Sequence, residues 1–316
     1  MRQAGRSLPE YKRVREGIGM IESCLRPDLA AEITLQPVRR HKVDAGIFFS
    51  DIIVPLRLAG VDIDIAPGIG PLMSNPIRTA DAIAALPELE LDALAPITEA
   101  IGICVEELGS TPLIGFAGAP FTLASYLIEG KPSRDHLHTK AFMFSEPELW
   151  HRLLSWTART TATFLRAQVT AGASALQLFD SWVGALSLPH YLEYAQPHSR
   201  EVLEAVSDLG VSKIHFGTKS EPLLVAMRDA GADVVGVDDR TPLSTAIERL
   251  GGKVPVQGNI DPAMLFAPWP VLEAHVRDVV EQGKAAPAHV VNLGHGVPPD
   301  ADPEVITRVV SLIHSL

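Results

Sequence analysis

Ser212-Lys-Ile-His-Phe-Gly217 and Asp233-Val-Val-Gly-Val237 are short apolar runs joined by one helical stretch that opens at Glu221-Pro222 and closes at Gly231. Strand, helix and strand in that order build a parallel pair covered by its own crossover helix. The same alternation repeats outward in both directions, with candidate strands near 45–50, 112–117, 174–179, 254–257 and 289–293. Those seven, plus one just before or at Arg2, make the eight that close a (β/α)8 TIM barrel. A doubly wound open sheet is the rival α/β architecture. It would carry a glycine-rich phosphate turn after its first strand, and no G-x-G-x-x-G stands there.

Helix boundaries are marked between the strands. Ser145 reads as an N-cap with Pro147 in the first turn, and Leu149, Leu153, Trp156, Phe164 and Leu165 approximate one face before Gly172. Ser187 with Pro189 opens a helix expected to run to about Gly210. Thr241-Pro242 to Gly251-Gly252 marks another, and Asp302-Pro303 starts the last. Region 61–78 alternates apolar and acidic residues before a Gly/Pro-rich turn, which predicts a small hairpin or lid on a long loop.

The chain has 316 residues, 47% hydrophobic and 21% charged, the proportions of a globular protein with a sizeable core. No low-complexity tract or long linker divides it, so residues 1–316 are expected to form a single domain. A formal charge of −11 argues against nucleic acid or an anionic membrane surface as partner. An anionic ligand must therefore be drawn by local cations. Cys24 and Cys104 are too few for a disulfide framework, which suits a reducing cytoplasm. The most apolar stretch, Ile52 to Met73, is broken by Arg57, Asp62, Asp64 and three prolines, so no membrane span is expected.

Several polar residues fall just after the expected strands. Asp51 follows Gly46-Ile-Phe-Phe-Ser50, Tyr126 follows the 112–117 run, Ser181 follows Leu176-Gln-Leu-Phe-Asp180, and His295 sits between Gly294 and Gly296. Arg2 and Arg6 place two cations around an Ala-Gly centre. Each has a structural reading as well. Asp51 could cap the next helix, Tyr126 could be core, Ser181 and His295 could be turn residues, and both arginines could be solvated. Their convergence on the C-terminal ends of barrel strands, where such folds keep their chemistry, favours a site.

At this point the residues resemble a family. Met1-Arg-Gln-Ala-Gly-Arg-Ser-Leu-Pro-Glu-Tyr11, Leu35-Gln-Pro-Val-Arg-Arg40, Ile47-Phe-Phe-Ser-Asp-Ile52 and Gly118-Ala-Pro-Phe-Thr-Leu-Ala-Ser-Tyr126 look like motifs of the uroporphyrinogen decarboxylases. So do Val256-Gln-Gly-Asn-Ile-Asp-Pro262 and Asn292-Leu-Gly-His-Gly296, in the same order along the whole chain. The resemblance implies a (β/α)8 barrel, usually a homodimer. It also implies conversion of the four acetate side chains of uroporphyrinogen III to methyls, giving coproporphyrinogen III, with no metal or organic cofactor. It makes Asp51 the central catalytic carboxylate, and Arg2, Gln3, Ala4, Gly5, Arg6, Tyr126, Ser181 and His295 substrate contacts.

The family pattern ordinarily has an apolar strand running into Met-Arg-Gln. Here Met1 belongs to the motif itself, so the first barrel strand is expected to be truncated and the chain less stable and less active than an extended version. Ser7 and Asp239 also depart from the pattern, which often has aromatic residues there. Two rival functions remain. A zinc-dependent methyltransferase of the same barrel superfamily needs cysteine and histidine ligands, and the chain's only cysteines, Cys24 and Cys104, stand in no His-x-Cys arrangement. A non-catalytic tetrapyrrole-binding protein would use the same motif residues without turnover.

Overall fold

Strands β1 (Gly46–Ile47), β2 (Ile63–Ala66), β3 (Gly70–Met73), β4 (Leu113–Gly118), β5 (Ala175–Asp180), β6 (Ser212–Gly217), β7 (Val234–Gly236), β8 (Val256–Ile260) and β9 (His289–Leu293) succeed one another in the computed structural model, which describes residues 4–66 and 68–316. Seven of them form one sheet in the order β1-β4-β5-β6-β7-β8-β9, and every pairing in it is parallel. Helices follow the strands and cover the outer face, which is the α/β, TIM-barrel-like arrangement that the alternation predicts. The eighth strand, expected just before or at Arg2, falls outside the described residues, and among these β1 and β9 are the outer strands of the sheet. Strands β2 and β3 pair antiparallel, from Ile63↔Met73 to Ala66↔Gly70, as the hairpin expected within 61–78.

The register sorts side chains onto two faces. Phe116 pairs with Gln177, Phe179 with Phe216, and Gly236 with Gln257, so these residues share the inner face. Leu178, His215 and Val235 alternate with them and lie under the helices, all fully buried or nearly so. Gly236 is needed here because a Cβ would lie 2.9 Å from the Phe216 side chain, closer than packing allows.

β1 pairs with β4 only at Gly46↔Leu113 and Ile47↔Ile114, which leaves the main chain of Phe116 without a strand partner on that side. Gln168 supplies one. Its Oε1 accepts from the Phe116 N–H at 2.9 Å and its Nε2 donates to the Phe116 carbonyl at 2.9 Å. The glutamine is fully buried on the helix Pro147–Thr170, where Leu153, Trp156, Phe164 and Leu165 are buried as the expected apolar face, Leu149 is only partly buried, and the neighbouring Trp150 is buried in addition. Gly115 leaves room for it, since a Cβ there would meet Oε1 at 2.7 Å. The segment after β1 is held from the other side. Thr34, on the helix Pro27–His41, donates to the Ala30 carbonyl and accepts from the Phe49 N–H at 2.9 Å.

Two helix boundaries differ from expectation. Ser145 ends the helix Leu137–Ser145, and the next opens at Pro147 after Glu146, so Ser145 is not the cap. The helix opened by Ser187, whose side chain accepts from the His190 N–H, stops at Tyr194, and a separate one runs Gln196–Ala205. Pro197 has no N–H and sits comfortably only in a first turn, so the chain restarts there. Asp302 caps the last helix, Pro303–Ile313, as predicted.

That last helix is tied to Pro27–His41 by Arg40, which takes both carboxylate oxygens of Glu10 (2.7 and 2.9 Å) and reaches Glu304 at 3.2 Å. It is tied also by His41, whose Nδ1 lies 2.9 Å from Thr307 Oγ1.

Gln168→Ala should leave two buried backbone groups unpaired and lower stability by about 2–5 kcal/mol, read as a lower urea midpoint with unchanged slope. Burial, reinforced by the charge of Arg40, pushes His41 down from 6.5 to about 4. The unfolded chain therefore binds the extra proton between those values. His41's contribution is complete above pH 6.5, is lost as pH falls toward about 4, and changes no further below that. Denaturation midpoints of the wild type should fall over that window, and those of His41→Gln should fall less.

Candidate active site

Parallel pairing delivers every strand of the large sheet to one common rim. Asp51 stands there after β1, half-buried. Its Oδ1 accepts from the Ile53 N–H at 3.2 Å and its carbonyl from the Val54 N–H at 3.0 Å, so the capping reading holds in part. The carboxylate braces the turn before the helix Val54–Leu58. Directly behind it lies the fully buried thiol of Cys24. Burial, and then the charge of Asp51, push that thiol far above its ordinary range and keep it protonated.

Ile52, next to Asp51, packs on a cluster of three inner-face phenylalanines, Phe116, Phe179 and Phe216. Their rings meet edge to face, 5.3 Å apart between Phe116 and Phe179 and 5.9 Å between Phe179 and Phe216. Phe216 continues into a small cavity, about 10 Å3, lined also by Gln177, Val237, Gln257, Asn292, Leu293 and His295. That volume suits one water. The phenylalanines thus form a continuous apolar floor from the Asp51 side of the rim to the His295 side.

His295 itself is exposed, just past β9. Gly294 before it is pressed against the main chain of Asp239, where any Cβ would collide, and its N–H donates to the Ile260 carbonyl at 2.8 Å. The glycine in front of the histidine therefore serves a close crossing of the loop after β7. That loop is anchored by Asp238, buried and accepting from the Lys219 N–H at 2.6 Å and from Arg240 at 3.3 Å.

Tyr126 is buried on the helix Pro120–Glu129, as its core reading has it, with its ring 3.9 Å from that of Trp182. Trp182 in turn lies 4.6 Å from the His136 ring, and burial holds that imidazole below its ordinary value. Ser181, half-buried after β5, accepts through its carbonyl from Thr218 Oγ1 at 2.6 Å. Gly5 and Arg6 belong to the short 3-10 turn Ala4–Ser7, where Gly5 packs against Pro37 and Arg6 is half-buried. Arg2 and Gln3 lie outside the described residues, as does the side chain of Ala4.

Asp51, Ser181 and His295 thus share one rim, with Tyr126 joined to it through Trp182. The phenylalanine floor and Trp182 were not singled out from the sequence. Their only signal was position, since Phe116, Phe179 and Phe216 recur near strand ends in phase with the inner face. No group of three or more His, Cys, Asp or Glu side chains among the described residues is arranged to hold a metal ion. No helix among them is long and apolar enough to cross a membrane.

The model of the family described as "Uroporphyrinogen decarboxylase (URO-D)" matches residues 1–316. The chain belongs to the uroporphyrinogen decarboxylase family. Within that family it is 64% identical to the uroporphyrinogen decarboxylase of Arthrobacter sp. (strain FB24), over 100% of this chain and 92% of that protein. It is 59% identical to the one from Salinispora tropica, over 100% of this chain and 85% of that protein. Among solved structures, a methyltransferase from Methanosarcina mazei superposes with a TM-score of 0.80 at 19% identity, covering 97% of this chain and 90% of its own. A B12-independent methionine synthase from Shewanella sp. W3-18-1 follows at TM-score 0.60 and 12% identity, covering 92% and 87%. At those identities the two neighbours carry the barrel architecture and nothing about chemistry.

Proposed function

We propose that this member of the uroporphyrinogen decarboxylase family converts the four acetate side chains of uroporphyrinogen III to methyls, giving coproporphyrinogen III in haem biosynthesis. Family membership over the whole chain, with 64% identity to a uroporphyrinogen decarboxylase, supports the reaction. The observation that carries the mechanism is the placement of Asp51 on the rim beside a three-phenylalanine floor.

Losing carbon dioxide from an acetate requires a sink for the electron pair of the breaking C–C bond. Protonation of a pyrrole ring carbon creates one. The pair flows into the cationic ring as carbon dioxide leaves. A proton then adds to the exocyclic carbon to make the methyl, and the ring carbon gives its own proton back, so that in net one proton replaces carbon dioxide. The substrate thereby does for itself what an organic cofactor does elsewhere, so neither cofactor nor metal is needed. The protein's task is to stabilise a cation and to position the acetate.

Asp51 is the group for the first task. The four pyrrole N–H groups point to the centre of the macrocycle, so one carboxylate beneath them serves whichever ring reacts. A fixed anion close to apolar rings is weakly screened and needs no reorganisation as charge develops. The macrocycle lies across the rim, over the phenylalanine floor, since the small cavity beside His295 has room for only about one water. Its carboxylates are met by Arg2 and Arg6, whose guanidinium forks suit bidentate capture, with Gln3, Ala4 and Gly5 between them. Tyr126, Ser181 and His295 complete the contacts. We assign residues 1–316 to one catalytic domain, working as a cytoplasmic homodimer.

Asp51→Asn should lower kcat by about a hundredfold or more with the fold intact, measured as product resolved by carboxyl count. Near-normal turnover would remove Asp51 from the role, and bound but unconverted uroporphyrinogen in the wild type would identify a binding protein instead. Arg6→Ala should raise KM for uroporphyrinogen while leaving the melting temperature close to wild type. An unchanged KM would contradict the assignment.

A further inference from the structure

Behind the sheet, on the face turned away from the rim, the last residue of β5 carries a second carboxylate. Asp180 is fully buried, although an unpaired charge at that depth is costly. Its Oδ1 accepts from Thr122 Oγ1 at 2.8 Å. Thr122 is also fully buried, on the helix Pro120–Glu129 that carries Tyr126. Having given its proton to Asp180, the same Oγ1 accepts from the Trp182 N–H at 3.2 Å. A hydroxyl that donates to a carboxylate is a better acceptor for the next donor, so the two bonds reinforce each other.

The far side of Asp180 faces more polar groups. Its Oδ2 lies 3.8 Å from His215 Nε2, beyond hydrogen-bond length, and His215 sits on the adjacent strand β6 with no exposure. Tyr191, from the helix Leu188–Tyr194, closes the other side, and its phenol is raised well above its ordinary value by burial and by the charge of Asp180. Ser199 stands against that phenol. Apolar side chains of the same size would pack more easily between sheet and helix, so this polar cluster needs a reason to be here.

We propose that Asp180 is a positioning residue, which acts through Thr122 to fix the Trp182 main chain and so sets the Ser181–Trp182–Tyr126 wall of the active site. The relay joins the end of β5 to the helix after β4, the two elements that carry Ser181 and Tyr126. Its bonds fix the Trp182 ring in its 3.9 Å contact with Tyr126. His215 and Tyr191 back the carboxylate from behind, which leaves Thr122 as its hydrogen-bond outlet toward the rim. The inference rests on the reading that places Tyr126 and Ser181 in the substrate site.

The test is Thr122→Val, which removes the hydroxyl at constant volume, beside Thr122→Ser, which restores it. Two readouts are taken, steady-state kinetics with uroporphyrinogen and the Trp182 emission, isolated as the difference from a Trp182→Phe background. The valine variant should raise KM by about fivefold, the worth of a lost hydrogen bond, and should shift Trp182 emission as the ring leaves Tyr126. The serine variant should return both toward wild type. Asp180→Leu, which removes the acceptor at similar volume, supplies the same readouts should the valine variant fail to fold. Emission and KM both unmoved, or KM moved with emission unmoved, overturn the relay. Emission that moves while KM stays upholds the relay and instead removes Tyr126 and Ser181 from the substrate site.

Discussion

Parallel hydrogen bonding between seven strands imposes the constraint from which the rest of the structure follows. Strands that all run one way need a crossover after each of them, and each crossover begins at the same rim. Residues far apart in sequence, such as Asp51, Ser181 and His295, are brought to that rim by the strands they follow. The same register puts phenylalanines from β4, β5 and β6 on one face, so the floor and the polar rim have a common cause. Gln168 shows how firmly the requirement is enforced. Where β1 stops pairing, a buried side chain from a helix takes over the strand's hydrogen bonds, because a bare N–H and C=O at that depth are not tolerated.

Electrostatics adds a second constraint. The chain carries a formal charge of −11, yet the proposed substrate is an octacarboxylate. Long-range attraction cannot gather such a ligand, so in the proposed reading capture would fall to a few guanidinium groups acting at contact distance, inside a Debye length of about 8 Å. The acidic surface repels polyanions that lack the matching geometry. In the proposed mechanism the central carboxylate would oppose the substrate's periphery as well and would contribute only when positive charge develops on the ring. That would be differential binding, with one group unhelpful to the resting substrate and useful to the transition state.

Much of the fold was legible in the sequence, because strands flanked by helices leave a strong periodic signal. All seven strands of the large sheet and the 61–78 hairpin lie where the pattern put them. The misses are local. Ser145 looked like a cap, but it follows one helix so closely that it ends that helix and leaves Pro147 to open the next. The break at Ala195 was hidden because Pro197 suits a first turn as well as it breaks an interior. At the candidate site, the rim positions of Asp51, Ser181 and His295 were legible because polar residues at strand ends stand out. Trp182 and the phenylalanines were not, since an apolar residue near a strand end reads as core until the register shows which face it takes.

The buried carboxylate of Asp180 was invisible for a related reason. It ends β5, next to Ser181, yet strand alternation turns neighbouring side chains to opposite faces. One residue serves the rim and the other the layer behind it. A sheet one residue thick thereby lets the packing of helices against its back influence the geometry at its edge. The Thr122 hydroxyl makes that connection, since it bonds to Asp180 behind the sheet and to the Trp182 main chain beside the rim. A barrel whose chemistry depends on flexible loops needs such ties, because loop residues gain precision only from the rigid elements to which they are bonded.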